Sequence, residues 1–160
     1  MGNQLAVGLG EIKLSRDPQD LLIAFGLGSC MGIGLYDPVA HVAGLLHAIL
    51  PIHPGSGDSI SKYVDTGVPS LIDMMIKAGA IRSRLVVRMA GGANMLVAPG
   101  FTNAFDIGSR NIDAAQKTLA NLNLKILGYE VGGNTGRTVR FYVSDGRMTI
   151  RTVGNQERAI

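Results

Sequence analysis

The run Met31-Gly32-Ile33-Gly34-Leu35-Tyr36, the turn Asp37-Pro38-Val39-Ala40 and the run from Val42 to Leu50, closed by Pro51, decide the fold. Two short apolar runs flanking turn-forming residues read as a β-hairpin. Asp at the first turn position and Pro at the second favour a type I turn. With a two-residue loop at Pro38-Val39, Asp37 pairs with Ala40 and Tyr36 with His41, so partner numbers sum to 77. Cys30 then stands directly opposite His47, and side chains facing one another in this way have Cβ atoms about 4.5–5.5 Å apart. The inference depends on register. A slip of one residue would set His47 opposite Met31 and only diagonal to Cys30.

Upstream of the hairpin, residues 5–14 alternate weakly and read as one strand. Asp17-Pro18-Gln19-Asp20 reads as a turn, and Leu21 to Phe25 as a short buried strand. Downstream, Pro51 to Ser59 is a polar Gly/Pro-rich loop. Val64, Val68, Leu71, Ile72, Met75 and Ile76 then recur at helical spacing, with Ser59 or Ser61 as candidate caps and Gly79 as a stop. Pro69 sits awkwardly inside that helix and suggests a kink or a late start. Leu85 to Ala90 reads as a buried strand running into Gly91-Gly92-Ala93-Asn94. A second helix spans 109–122, with Ile112, Ala115, Leu119 and Leu122 on one face. Strands over 125–131, 137–144 and 147–153 close the chain, the last two joined by Ser144-Asp145-Gly146-Arg147. Hairpins at both ends with helices between them indicate an α/β fold. Its sheets are mixed, mostly antiparallel, and packed as a sandwich with flanking helices; a doubly wound parallel sheet does not fit. No linker, repeat or low-complexity tract interrupts residues 1–160, which read as a single domain.

Composition excludes several functional classes. The chain carries 15 Lys+Arg against 12 Asp+Glu, a net charge of +3, and only 5% aromatic residues. The basic residues are scattered apart from Arg82, Arg84 and Arg88, so nucleic-acid binding has little support. No apolar run reaches the roughly 18 residues of a membrane span. The start, Met1-Gly2-Asn3-Gln4-Leu5, lacks the basic and apolar regions of a secretory signal. A lone cysteine cannot form an intrachain disulfide, and with no signal pattern this points to the reducing cytoplasm.

That lone cysteine carries the chemistry. A free thiol has a pKa of about 8.5, and a neighbouring imidazolium would lower it. His47 could take the thiol proton and later give it to a leaving amine. The bend Gly26-Leu27-Gly28-Ser29 before Cys30 can turn backbone N–H groups, those of Gly28 and Ser29 among them, toward a developing oxyanion. Two plainer readings stand beside this one: Cys30 as a small buried hydrophobe and His47 as a core histidine. A zinc site built from Cys30, His41, His47 and His53 lacks any CxxC or HxxxH spacing, so no metal is expected. Neither Gly26-x-Gly28 nor Gly91-Gly92 completes a nucleotide-binding motif, and no cofactor is implied.

Six segments stand out along the chain: Gly28-Ser29-Cys30, Tyr36-Asp37-Pro38, Leu46-His47-Ala48-Ile49-Leu50-Pro51, Gly91-Gly92-Ala93-Asn94-Met95, Ile107-Gly108-Ser109-Arg110-Asn111 and Gly132-Gly133-Asn134-Thr135-Gly136-Arg137. Together they resemble the CheD family, the chemoreceptor glutamine deamidases of bacterial and archaeal chemotaxis. The resemblance implies a cysteine-hydrolase fold shared with certain glutamine-deamidating toxins. It implies hydrolysis of selected glutamine side chains to glutamate on methyl-accepting chemotaxis receptors, with release of ammonia. Cys30 would be the nucleophile and His47 the base, with a CheC-type phosphatase as regulatory partner. Asn94, Arg110, Asn111 and Arg137 would be substrate or partner contacts, although loop and capping roles explain them equally well. In one place the chain departs from the family. The usual third catalytic residue is a Thr about six positions before the Cys, and here that position is Ala24. This keeps open the alternative of a weakly active or inactive binding module that regulates a CheC-type phosphatase.

Overall fold

The computed structural model describes residues 2–95 and 106–160. Its first sheet contains β1 (Gln4–Ala6), β3 (Leu21–Leu27), β8 (Arg137–Tyr142), β9 (Met148–Thr152) and β10 (Arg158–Ala159), adjacent in that order. Its second sheet contains β2 (Ile12–Ser15), β5 (Val42–Ala48), β4 (Met31–Asp37), β6 (Val86–Gly91) and β7 (Lys125–Val131), also in that order. β1 with β3 and β6 with β7 are parallel pairs, and the remaining pairs are antiparallel. Two helices, α1 (Val64–Lys77) and α2 (Ile107–Asn121), pack on the second sheet. The expected sandwich with flanking helices is therefore the fold.

Strand periodicity sorts the side chains into two cores. Met31, Ile33 and Leu35 of β4 join Val42, Leu46 and Ala48 of β5 against α1 and α2. The alternate residues, Tyr36 of β4 with Ala43 and Leu45 of β5, face the first sheet and meet Leu22, Ala24, Leu27, Val139 and Phe141. Both faces of β4 and β5 are covered, so both strands are buried along their whole length.

Three local expectations are corrected. The single strand read over 5–14 is two strands in different sheets. A turn at Leu9-Gly10, with Gly10 at φ 72° and Glu11 N–H donating to Gly8 O at 3.1 Å, lets the chain cross between them. Neither Ser59 nor Ser61 caps α1. The helix follows a 3₁₀ turn at Ile60–Lys62, and its leading N–H groups, those of Val64 and Asp65, donate to the carbonyls of Leu50 and Pro51 at 2.9 and 3.2 Å. Pro69 neither delays nor ends the helix, which runs through it. Gly79 does stop it: at φ 109°, its N–H reaches Ile76 O while that of Ala80 reaches Met75 O, a Schellman closure.

The hairpin register is corrected as well. Met31 pairs with Ala48, Gly32 with His47 and Asp37 with Val42, so partner numbers sum to 79. The loop has four residues, Pro38 to His41, instead of two. A two-residue hairpin needs positive φ at its first central position, and Pro38 is locked near −65°. The chain instead forms a turn in which Asp37 Oδ1 accepts from the N–H groups of Val39 and Ala40 at 2.9 and 3.0 Å. His41 takes the left-handed position at φ 55° and donates its N–H to Asp37 O at 2.8 Å.

Candidate active site

The register change is two residues, an even number, so it does not alter which face a residue occupies. Cys30 and His47 remain on one face, the one turned toward the first sheet. Cys30 packs against that inter-sheet core. The two are diagonal neighbours instead of directly opposed, a relation that sets Cβ atoms about 7–8 Å apart and still within reach of long side chains. Gly32, which does face His47, adds no side chain between them; a Cβ there would lie 2.9 Å from Leu27 Cδ1.

His47 is buried and held on three sides. Its N–H donates to Glu11 O at 3.0 Å, and its carbonyl accepts from Gly10 N–H at 2.8 Å. Its ring Nδ1 lies 2.9 Å from the carbonyl oxygen of Val7. A carbonyl can only accept, so Nδ1 carries the proton and the neutral ring has its lone pair on Nε2. That Nε2 has no hydrogen-bond partner among the described residues. The partner of Nδ1 is a backbone carbonyl and not a side chain at position 24. Ala24 itself is fully buried in the inter-sheet core.

Cys30 is half-buried and free. It follows a bend at Gly28 and Ser29 whose carbonyls are all engaged. Gly28 O accepts from Ala93 N–H at 2.8 Å, Ser29 O from Asn111 Nδ2 at 2.8 Å, and Cys30 O from Gly92 N–H at 2.9 Å. Burial pushes the Cys30 thiol above its ordinary value, and a hydrogen bond from its own backbone N–H opposes this only in part. No hydrogen bond joins His47 Nε2 to Cys30.

The other residues singled out in the sequence fall in different places. Asn94 lies beside the bend, its N–H donating to Gly133 O at 2.8 Å. Arg137 is buried and ties the sheets together: Nε bonds Glu130 Oε2 at 3.0 Å, and its remaining nitrogens bond the carbonyls of Gly91 at 3.0 Å and Gly132 at 2.5 Å. Asn111 is fully buried, with Nδ2 donating to Ser29 O and, at 2.9 Å, to Ile49 O. Both are buried and bond the framework from inside. Arg110 is exposed and lines a cleft of about 650 Å³ with Pro51, Ile52, Asp65, Asp113 and Lys117, which neither Cys30 nor His47 touches. His41 bonds the Tyr36 hydroxyl, and the His53 ring bonds Gly55 and Asp58, so neither approaches Cys30. Sequence reading missed Val7, whose contribution is a main-chain oxygen with no residue-type signature. It also missed the role of Gly91. A Cβ there would lie 2.1 Å from Cys30 O, so the close approach of β6 to the cysteine bend requires glycine.

Residues 49–152 match the CheD family, described as CheD chemotactic sensory transduction. A probable chemoreceptor glutamine deamidase CheD of Symbiobacterium thermophilum is 40% identical over 158 residues, covering 97% of this chain and 96% of the relative. One of Caldanaerobacter subterraneus subsp. tengcongensis is 42% identical over 153 residues, covering 94% of each. The chemoreceptor glutamine deamidase CheD of Thermotoga maritima is 36% identical over 152 residues, covering 95% of this chain and 94% of that one. Among solved structures, the hypothetical protein YfiH of Bacillus licheniformis shares the fold at a TM-score of 0.50 and 13% identity. That match covers 77% of this chain and 51% of the longer one. No helix among the described residues is long and apolar enough to cross a membrane.

Proposed function

The chain belongs to the CheD family, and on that premise we propose that it hydrolyses glutamine side chains of chemoreceptors to glutamate, with Cys30 as nucleophile and His47 as base. One geometric fact supports this chemistry above the rest. His47 has its Nδ1–H tied to Val7 and its Nε2 without a hydrogen-bond partner among the described residues, on the face it shares with a half-buried thiol.

The steps follow from that arrangement. His47 Nε2 takes the Cys30 proton as the substrate amide arrives, so a thiol that rests protonated still attacks as thiolate. Sulfur bonds to the carboxamide carbon, and the carbonyl electron pair moves to oxygen. The N–H groups of the Ser29 and Cys30 bend stabilise that oxyanion. The imidazolium returns the proton to the departing nitrogen, releasing ammonia and leaving a thioester. Water, deprotonated by His47, then attacks the thioester carbon, and glutamate leaves as the thiol is restored. No cofactor takes part.

The 160 residues act as one domain in this reading. The substrate is the cytoplasmic part of a methyl-accepting receptor, which places the protein in the cytoplasm. Family resemblance supports a CheC-type phosphatase as the partner that restrains it. The test is incubation with a receptor cytoplasmic fragment, followed by mass analysis of its glutamines. The expected result is the increment that replaces an amide NH₂ by OH at selected sites, absent with Cys30→Ala. Equal modification by parent and Cys30→Ala would refute the nucleophile. No modification by either would leave the binding-module reading.

A further inference from the structure

Asn111 joins the two arms of the site with one amide. Its Nδ2 donates to Ser29 O at 2.8 Å, next to Cys30, and to Ile49 O at 2.9 Å, two residues beyond His47. These partners lie 82 and 62 residues away in sequence, and Asn111 has no exposed surface. Both Nδ2 hydrogens are engaged, so the side chain has one orientation.

The consequence for Cys30 is stereochemical. In a trans peptide, the carbonyl of one residue and the N–H of the next point in opposite directions. No cis bond occurs among the described residues. Ser29 O points at α2 through Asn111, so the Cys30 N–H points away from α2. Ala93 acts in the same way one residue earlier. Its N–H holds Gly28 O and so turns the Ser29 N–H away from Ala93. The Cys30 N–H belongs to the same residue as the attacking sulfur. A donor beside the attacking atom is where an oxyanion forms when that atom adds to a carboxamide.

Resting on the reading of Cys30 as nucleophile, we infer that Asn111 is a positioning residue for the oxyanion hole. By gripping the Ser29 carbonyl it fixes the Ser29–Cys30 peptide plane and aims the Cys30 N–H at the developing negative charge. It touches neither substrate nor reacting atoms.

The test compares Asn111→Ala and the near-isosteric Asn111→Leu with the parent. Leu removes both donors while keeping the volume and adds no charge, and it carries the test alone if the alanine variant does not fold. Deamidation kcat and KM on a receptor cytoplasmic fragment are measured beside the rate constant for alkylation of Cys30 by iodoacetamide. Alkylation displaces iodide from a saturated carbon and forms no oxyanion, so it does not use the hole. Removing an oxyanion donor costs about 10²–10³ in kcat, and loosening one is expected to cost about 10- to 100-fold, with KM and alkylation changed less than about 3-fold. An unchanged kcat would overturn the inference. So would a parallel fall in kcat and alkylation, which would mark a clamp that only maintains the fold. Activity retained by Cys30→Ala would instead refute the nucleophile itself, a distinguishable failure.

Discussion

His47 Nδ1 donates to the main-chain carbonyl of Val7 at 2.9 Å, across 40 residues of sequence. The bond fixes the ring's tautomer and leaves Nε2 as the atom that can accept a proton. Val7 is held in turn by its own N–H, which donates to Ile23 O at 2.8 Å, beside Ala24 on β3. The strand that lacks the family's threonine therefore still supports the group that orients the histidine.

Restoring that threonine is expected to gain little. The Nδ1 proton already has an acceptor, and exchanging one acceptor for another is worth well under about 1 kcal/mol, so Ala24→Thr should change kcat less than about 3-fold. The added methyl and hydroxyl enter a fully buried site, at a cost to stability of about 1–3 kcal/mol. Deamidation kinetics and a urea melt check both halves. A gain near tenfold would show that the Val7 carbonyl does not substitute for the threonine.

His47→Gln separates general-base catalysis from thiol activation. Loss of a positioned acid–base group should lower kcat about 10²- to 10⁴-fold. The same change should alter iodoacetamide labelling of Cys30 far less, because no hydrogen bond joins the two residues at rest. Labelling that collapses along with kcat would show a resting thiolate–imidazolium pair.

The thiol's own titration follows from burial. A raised pKa means that Cys30 holds its proton through neutral pH and ionises above the ordinary thiol range. The alkylation rate of the folded protein should therefore rise with pH to a midpoint above about 8.5, the value of an unperturbed cysteine. A midpoint well below that value would contradict the structure. The shift also makes the folded state less favoured as pH rises above the ordinary thiol pKa, because the native state keeps the proton longer.

Asp37 holds the hairpin that sets His47 in register. Burial pushes its carboxyl up, but the N–H groups of Ala40, Ile81 and Val39 and the Arg84 guanidinium outweigh it and hold it at about 2. The stabilisation is present above the ordinary carboxylate pKa and is lost as pH falls through about 2. Asp37→Asn should therefore cost about 2 kcal/mol at neutral pH, with the gap between variant and parent narrowing as acid protonates the parent. Urea melts at neutral and acid pH measure it. A gap that does not narrow would show that charge is not the stabilising element.

Much of this was legible from local signals. Apolar runs, turn residues and Gly79 place nearly every strand and both helices. Strand periodicity puts Cys30 and His47 on one face whatever the loop length, provided the slip is even. Pro38 also carried the evidence against the two-residue loop, since its fixed φ forbids the turn such a loop needs. Direct opposition of the pair failed because that consequence depends on turn geometry and not on residue type. The tertiary structure alone decided what orients His47, what aims the Cys30 N–H, and that Asn111 and Arg137 work from inside. Those contacts run mostly through main-chain oxygens, several of them tens of residues away. Every residue has such an oxygen, so no side-chain pattern announces which one will be used.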